Sequence, residues 1–250
     1  MNDLITIRAF RPEEDPESYN AYVEGHRSVL TEMGVLSVVK PGGLQEPPEG
    51  TVILVAEHNA LGMVGGLRIE RASSRHRLPI QQALVSLEPC IDEVIGDLTE
   101  DGCGEICGLW NTSRFAGRGV PLLLSEAAVS MVHHLGMRHL VCFVAHYTLR
   151  HALKVGFQLL DSLGDGGAFN YPIPRIKSFA MVIPDTVLLS TAPGNWRTRI
   201  LSLRCRPFQD RIEAPTGIPY AVRYRLSTTV GAHYKPLYQH IALEKAAARA

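Results

Sequence analysis

The stretch GEICGLWNTSRFAGRGVPLLL, residues 104–124, passes from a strand pattern through a polar turn and a glycine-containing loop into a helix. Glu105 to Trp110 reads as the strand. Val120, Leu123, Leu124, Ala127, Ala128, Met131, Val132 and Leu135 follow at i, i+3, i+4 spacing and predict an amphipathic helix, with Ser125, Glu126, Ser130 and His134 on its polar side. Pro121 suits the first helical turn, where its missing N–H would have no partner anyway. At the junction stands Arg114-Phe-Ala-Gly117-Arg118-Gly119, an Arg-x-x-Gly-x-Gly sequence. Glycines let backbone come close to a ligand. A helix start aims unpaired N–H groups and the positive end of its dipole at an anion. The expected ligand group is a phosphate.

Two common phosphate motifs are excluded. A dinucleotide fingerprint needs a third glycine where Leu122 stands, and no Gly-Lys-Ser/Thr of a Walker loop occurs in the chain. The strand, Arg-x-x-Gly-x-Gly loop and long helix resemble the pyrophosphate-binding segment of the GCN5-related N-acetyltransferase (GNAT) superfamily. A second match follows in order. His139 to Ala145 reads as the next strand, Tyr147 to Lys154 as a helix, and Gly156-Phe157 as that family's helix-ending Gly-Phe. The resemblance implies an α/β fold with a mixed, mostly antiparallel central sheet flanked by helices.

It also implies a function. The expected activity is transfer of an acyl group, first of all acetyl, from coenzyme A to an amine of a small molecule. By this resemblance the donor cradle is Arg114, Phe115, Ala116, Gly117, Arg118, Gly119 and Val120, and a backbone amide at Leu109 or Trp110 meets the thioester oxygen. Glu105 matches the glutamate that some members carry early in the same strand, and is the expected base. The asparagine and tyrosine common in the last helix are replaced by Ala145 and Ala152. Proton donation to the leaving thiolate then falls to Tyr147, His146 or His151, of which Tyr147 is the candidate named here, or the thiolate leaves unassisted. No metal is expected, because the adjacent His133 and His134 diverge by about 100° on a helix.

The rest of the chain fills in around this segment. Leu4 to Ala9 predicts a first strand, Ser18 to Met33 helical segments, and Gly34 to Gly50 a loop that either closes over the acceptor or simply connects. Thr51 to Glu57 and Gly62 to Arg71 predict a hairpin, with a bulge or a close backbone approach at Gly65-Gly66. Gln81 to Leu98 predicts a helix between the third and fourth strands. A helix there resembles the acyl-homoserine-lactone (autoinducer) synthase branch, as do Arg27-Ser-Val29 and Ser113-Arg114-Phe115, although that branch's Glu-x-Asp-x-x-Asp cluster is missing from residues 34–50. This branch implies acyl carrier protein as an alternative donor, and the apolar face of the helix either walls a channel for a longer acyl chain or covers an exposed face of the sheet. A domain that binds acyl-CoA without catalysis is the alternative of another class.

Ser178 to Ile183, Ile200 to Leu203 and Tyr220 to Leu226 predict further strands, and the residues after His233 are rich in helix formers. The expected organisation is an acyltransferase domain over 1–200 with an extension over 201–250 packed on or continuing from it.

Composition narrows the partners. The 250 residues hold 25 basic and 25 acidic side chains, so no overall field favours nucleic acid or an anionic membrane. Five cysteines, an odd number without framework spacing, predict reduced thiols. The start MNDLITIRAF lacks a basic-then-apolar signal, so the expected location is the cytoplasm. A homodimer is left open.

Overall fold

A computed structural model describes residues 3–36 and 47–227. The element order is β1 (Leu4–Phe10), α1 (Pro16–Glu32), β2 (Val52–His58), β3 (Gly62–Arg71), α2 (Pro79–Leu84), α3 (Ile91–Glu100) and β4 (Cys103–Asn111). There follow α4 (Val120–Val132), β5 (His139–Ala145), α5 (Leu149–Lys154), β6 (Gln158–Leu159), β7 (Ala168–Asn170), β8 (Lys177–Ile183), α6 (Gly194–Cys205), β9 (Phe208–Glu213) and β10 (Tyr220–Arg225). All strands share one sheet in the order β6-β8-β5-β4-β3-β2-β1-β10-β9, with β7 also paired to β8. Only β1–β10 and β4–β5 run parallel among these pairs; the rest are antiparallel. This is the mixed, mostly antiparallel sheet expected.

Two irregularities of β4 shape everything near it. Its register with β3 shifts between Gly66 and Arg68: Gly66 faces Trp110 and Arg68 faces Cys107, so Leu67 alone opposes Gly108 and Leu109. That extra residue is a β-bulge, and Gly108 adopts φ 58°, which glycine alone enters without strain. At Gly65 and Gly66 themselves the structure shows close approach rather than a bulge: an added side chain would stand 2.9 Å from the Trp110 carbonyl oxygen and 2.7 Å from the Tyr22 ring. On the opposite side, β4 pairs with β5 only from Cys103 to Glu105. Beyond Glu105 the two strands part, leaving a wedge-shaped gap in the middle of the sheet.

Helices cover both faces. Helix α1 starts at Asp15, whose carboxylate accepts the Ser18 N–H at 3.1 Å, and packs Tyr19 and Tyr22 against Phe10, Ile53, Val55 and Trp110. On the same face α2 and α3 place Ile80, Leu84, Ile91 and Ile95 against Cys103, Val141, Ala180 and Val182. The single helix predicted from Gln81 to Leu98 is broken in two. The reason is Pro89, which lacks an N–H and disfavours helical geometry at Glu88. The apolar residues of both pieces are taken up in covering the sheet rather than in walling a channel, and Leu87 is exposed.

The other face carries α4, α5 and α6. Here the prediction of a polar stripe on α4 fails: every residue from Leu122 to Val132 is buried, Ser125, Glu126 and Ser130 included. What buries them is α6, read from sequence as a strand at Ile200 to Leu203. Ile200 and Leu203 are three apart, the spacing of one helical face, and both are buried. Glu126 is fully buried and accepts from Arg199 Nη2 at 2.7 Å and Arg211 Nη1 at 3.2 Å. Glu213, also buried, accepts from Arg199 at 2.6 Å, and the Tyr224 hydroxyl donates to it at 3.1 Å. A boundary at residue 200 falls inside α6, and β10 extends the main sheet by pairing with β1 from Leu4↔Ala221 to Arg8↔Arg225. The middle of the predicted acceptor loop and the helix-forming tail lie outside the described residues.

Truncating one partner of a buried ion network leaves an uncompensated charge, which costs about 3–5 kcal/mol. Glu126→Ala should therefore lower the unfolding free energy by about that amount in urea titrations, far more than an exposed carboxylate such as Asp210 would.

Candidate active site

The loop after β4 is built for close approach. Thr112 N–H donates to the Val64 carbonyl at 2.9 Å, and a single 3-10 turn, Ser113–Phe115, follows. Phe115 is buried against His58, ring centroids 5.4 Å apart, and anchors the loop. Gly117 and Gly119 take φ 75° and 77°, the left-handed conformation, and Gly119 is the residue from which α4 starts. Among the described residues, the N–H groups of Gly117, Gly119 and Val120 have no hydrogen-bond partner. Three unpartnered amides thus lie at the start of a 13-residue helix, an arrangement chemically suited to an anion.

The two arginines differ. Arg114 is exposed and makes no ion pair among the described residues. Arg118 is engaged, pairing with Asp3 at 2.7 Å while its guanidinium lies 5.4 Å from the Phe115 ring and 5.5 Å from that of Tyr220. Ala116 is exposed. Of the predicted oxyanion donors, Leu109 is half-buried, and Trp110 is a core residue packed 6.3 Å from Tyr22. Both lie where β4 has left β5, so one side of their backbone faces the gap.

Helix α1 roofs that gap. Tyr22 is fully buried and its hydroxyl donates to the Gly108 carbonyl at 2.9 Å, tying the helix to the bulge. At the far end, the Met33 sulfur lies 4.0 Å from the Tyr147 hydroxyl, just past β5. Tyr147 is half-exposed at this mouth, beside His146, while Ala152 is buried in the core. Between the two ends, one turn after Tyr22, sits His26. A side chain on Gly108 would come within 3.5 Å of its ring. Its Nδ1 is buried without a partner among the described residues, and burial, aided by the charge of Arg68, holds its pKa down to about 4. The imidazole is thus neutral at pH 7. Nothing in the local sequence marks His26; its spacing of four from Tyr22 is the one available signal, and it acquires meaning only once α1 is laid over the gap.

Glu105 is placed differently from the expectation. It lies in the part of β4 still paired to β5, is 2 % exposed, and its Oε2 accepts the Ile80 N–H at 2.8 Å, fixing the first turn of α2. Burial, with Glu70 adding to it, pushes its carboxyl up to about 8, so it holds its proton at neutral pH. Nearby, Arg68 pairs with Glu70 at 2.6 Å, Glu70 contacts His76 at 2.8 Å, and Arg68 donates to the Cys107 sulfur at 3.2 Å. Burial raises the Cys107 thiol far above its usual range. Among the described residues no group of His, Cys, Asp and Glu is arranged to hold a metal ion, and no helix is long and apolar enough to cross a membrane.

No protein-family profile and no curated protein sequence matches the chain. Solved structures do. The chain is similar to FeeM, an N-acyl amino acid synthase from uncultured soil microbes, with a TM-score of 0.54 at 10% identity, over 76% of this chain and 96% of that one. It is similar to BjaI, a CoA-dependent acyl-homoserine lactone synthase with SAM and isopentyl-CoA, with a TM-score of 0.51 at 13% identity, over 90% and 95%. A second synthase of that description, MesI, gives a TM-score of 0.50 at 13% identity, over 79% and 94%. At such identities the likeness establishes the fold alone, an α/β fold that the chain shares with these synthases.

The placement of Glu105 has a measurable consequence. An unfolded glutamate releases its proton near 4.5, whereas the folded one keeps it to about 8. Folding stability from this group is full below pH 4.5, falls as pH rises through that window, and is level above it. Relative to wild type, Glu105→Gln should therefore flatten the decline in unfolding free energy between about pH 4.5 and 8, read from urea titrations at each pH.

Proposed function

We propose that the chain is an acyl-CoA-dependent N-acyltransferase acting on an amine of a small molecule, with acetyl the simplest group transferred. One observation carries this reading: the strand that parts from its neighbour leads directly into the loop with three unpartnered amides. The gap suits the extended thioester arm of a donor, and the cradle at Gly117, Gly119 and Val120 suits its pyrophosphate, with Arg114 adding charge. The backbone of Leu109 and Trp110 faces the gap and is the proposed partner of the thioester oxygen.

Proton handling follows from what surrounds the gap. The amine nitrogen bonds to the carbonyl carbon, the C–S bond breaks, the nitrogen loses a proton and the sulfur gains one. A group that is already protonated cannot take the first proton, which disfavours Glu105 as base at pH 7. His26, neutral and aimed from α1 at the bulge, is the proposed receiver. Tyr147, at the mouth of the gap, is the proposed donor to the thiolate.

A second reading is favoured by Phe143, which stands on β5 where it has left β4. It packs edge-on to Phe169 at 5.9 Å and lies 5.3 Å from Tyr171, and all three are half-exposed. Such an aromatic wall suits a longer acyl chain, since each buried methylene contributes about 0.8 kcal/mol. BjaI, described as a CoA-dependent acyl-homoserine lactone synthase with isopentyl-CoA, is in keeping with a donor larger than acetyl-CoA. Acyl carrier protein as donor belongs to this reading.

Calorimetry with acetyl-CoA and octanoyl-CoA tests both readings. Wild type should bind, and Arg114→Glu should bind at least about tenfold more weakly, the loss of a charge-assisted hydrogen bond to phosphate. Tighter octanoyl than acetyl binding selects the long-chain reading, whereas no binding of either rejects the donor assignment. With an amine that supports turnover, His26→Gln should lower kcat by about 10²–10⁴-fold. If Glu105→Gln has that effect at pH 7 and His26→Gln has none, the base is Glu105.

A further inference from the structure

The hairpin between β9 and β10 reaches across to the phosphate loop. Tyr220, first residue of β10, is buried, and its hydroxyl donates to the Arg118 carbonyl at 2.9 Å. Pro215 packs so closely on Gly119 that an added side chain would stand 2.6 Å from its Cγ. Tyr220 is itself fixed, facing Glu213 across the β9–β10 ladder and preceding the pairing of Ala221 with Leu4.

A peptide unit is planar and trans, so its C=O and N–H point in opposite directions. The carbonyl of Arg118 and the amide N–H of Gly119 belong to one such unit. Glycine at the αL position permits the unit to rotate with little steric penalty. Anchoring the oxygen on one side therefore aims the nitrogen on the other, and that N–H is one of the three unpartnered amides. Burial raises the Tyr220 phenol well above its usual range, so it stays protonated and able to donate. The Arg118 side chain pairs with Asp3 and lies 5.5 Å from the centre of the Tyr220 ring.

We infer that Tyr220 is a positioning residue for donor binding, presetting the Gly119 amide toward the donor's phosphates through the Arg118–Gly119 peptide. The inference rests on the donor site proposed above and adds to it a role for the C-terminal hairpin. Preorganised donors bind more tightly than those that must be ordered on contact. Tyr220→Phe removes one hydroxyl and keeps the ring. The control is Tyr224→Phe, which removes a buried hydroxyl from the same strand, one bonded to Glu213 rather than to the loop.

The experiment measures the Kd of coenzyme A by calorimetry, together with Tm, for wild type and both variants. Tyr220→Phe should raise Kd about three- to tenfold, the span of one neutral hydrogen bond, while Tyr224→Phe leaves Kd within twofold whatever it does to Tm. Equal Kd for wild type and Tyr220→Phe overturns the inference, as does an equal loss in both variants, which would mark a general packing effect. If wild type does not bind coenzyme A, the donor assignment falls and this inference with it, a result distinct from loss in one variant. Should Tyr220→Phe not fold, the Gly119 amide of wild type decides: its ¹H–¹⁵N resonance must shift on addition of coenzyme A, and an unmoved resonance overturns the inference.

Discussion

The whole site depends on β4 ceasing to pair with β5 after Glu105. A sheet interior normally closes every backbone donor and acceptor on both sides of a strand, because unpaired backbone groups are costly when buried. Here β4 carries a bulge at Gly108 and Leu109 against β3, and the sheet opens between β4 and β5. The opening lies directly upstream of the loop from which α4 starts. One strand thus presents backbone to the gap and then delivers amides to an anion, with no long-range adjustment needed between the two.

Around this opening the two faces of the sheet divide the work. The α1 face brings side-chain chemistry: Tyr22 clamps the bulge, His26 stands beside it, and Tyr147 meets Met33 at the mouth. The α4 face brings rigidity. A helix buried on all sides cannot rock, and Glu126 locks it to α6 and β9 through two arginines. Buried ion networks of this kind contribute little net stability compared with apolar packing, but breaking one is expensive, so they hold elements in a single arrangement.

Glu105 and His26 show how environment reassigns roles. A carboxylate on the central strand is a natural candidate base, yet complete burial beneath α2 makes it a protonated group that accepts a backbone amide. A half-buried histidine on a neighbouring helix, its Nδ1 without a partner among the described residues, is left neutral. The family resemblance suggested the first, and the packing of α1 and α2 on the sheet distinguishes the two.

The sequence by itself determined the strand–loop–helix centred on Gly117 and Gly119, the strand His139 to Ala145, the ending at Gly156-Phe157, and the hairpin of β2 and β3. These are local: hydrophobic period, a proline in a first turn and glycines at special dihedral angles act over a few residues, so they are legible in a row of letters. Pro89 was equally legible and breaks the helix that the apolar spacing alone predicts. The tertiary structure alone decided that α4 has no solvent face, that residues 194–205 form a helix covering it, and that Arg118 turns to Asp3. It alone showed that β10 joins β1 across more than 200 residues of chain. Each of these depends on which surfaces meet, and burial, charge partners and strand pairing are properties of contacts between segments far apart in sequence, which no local pattern encodes.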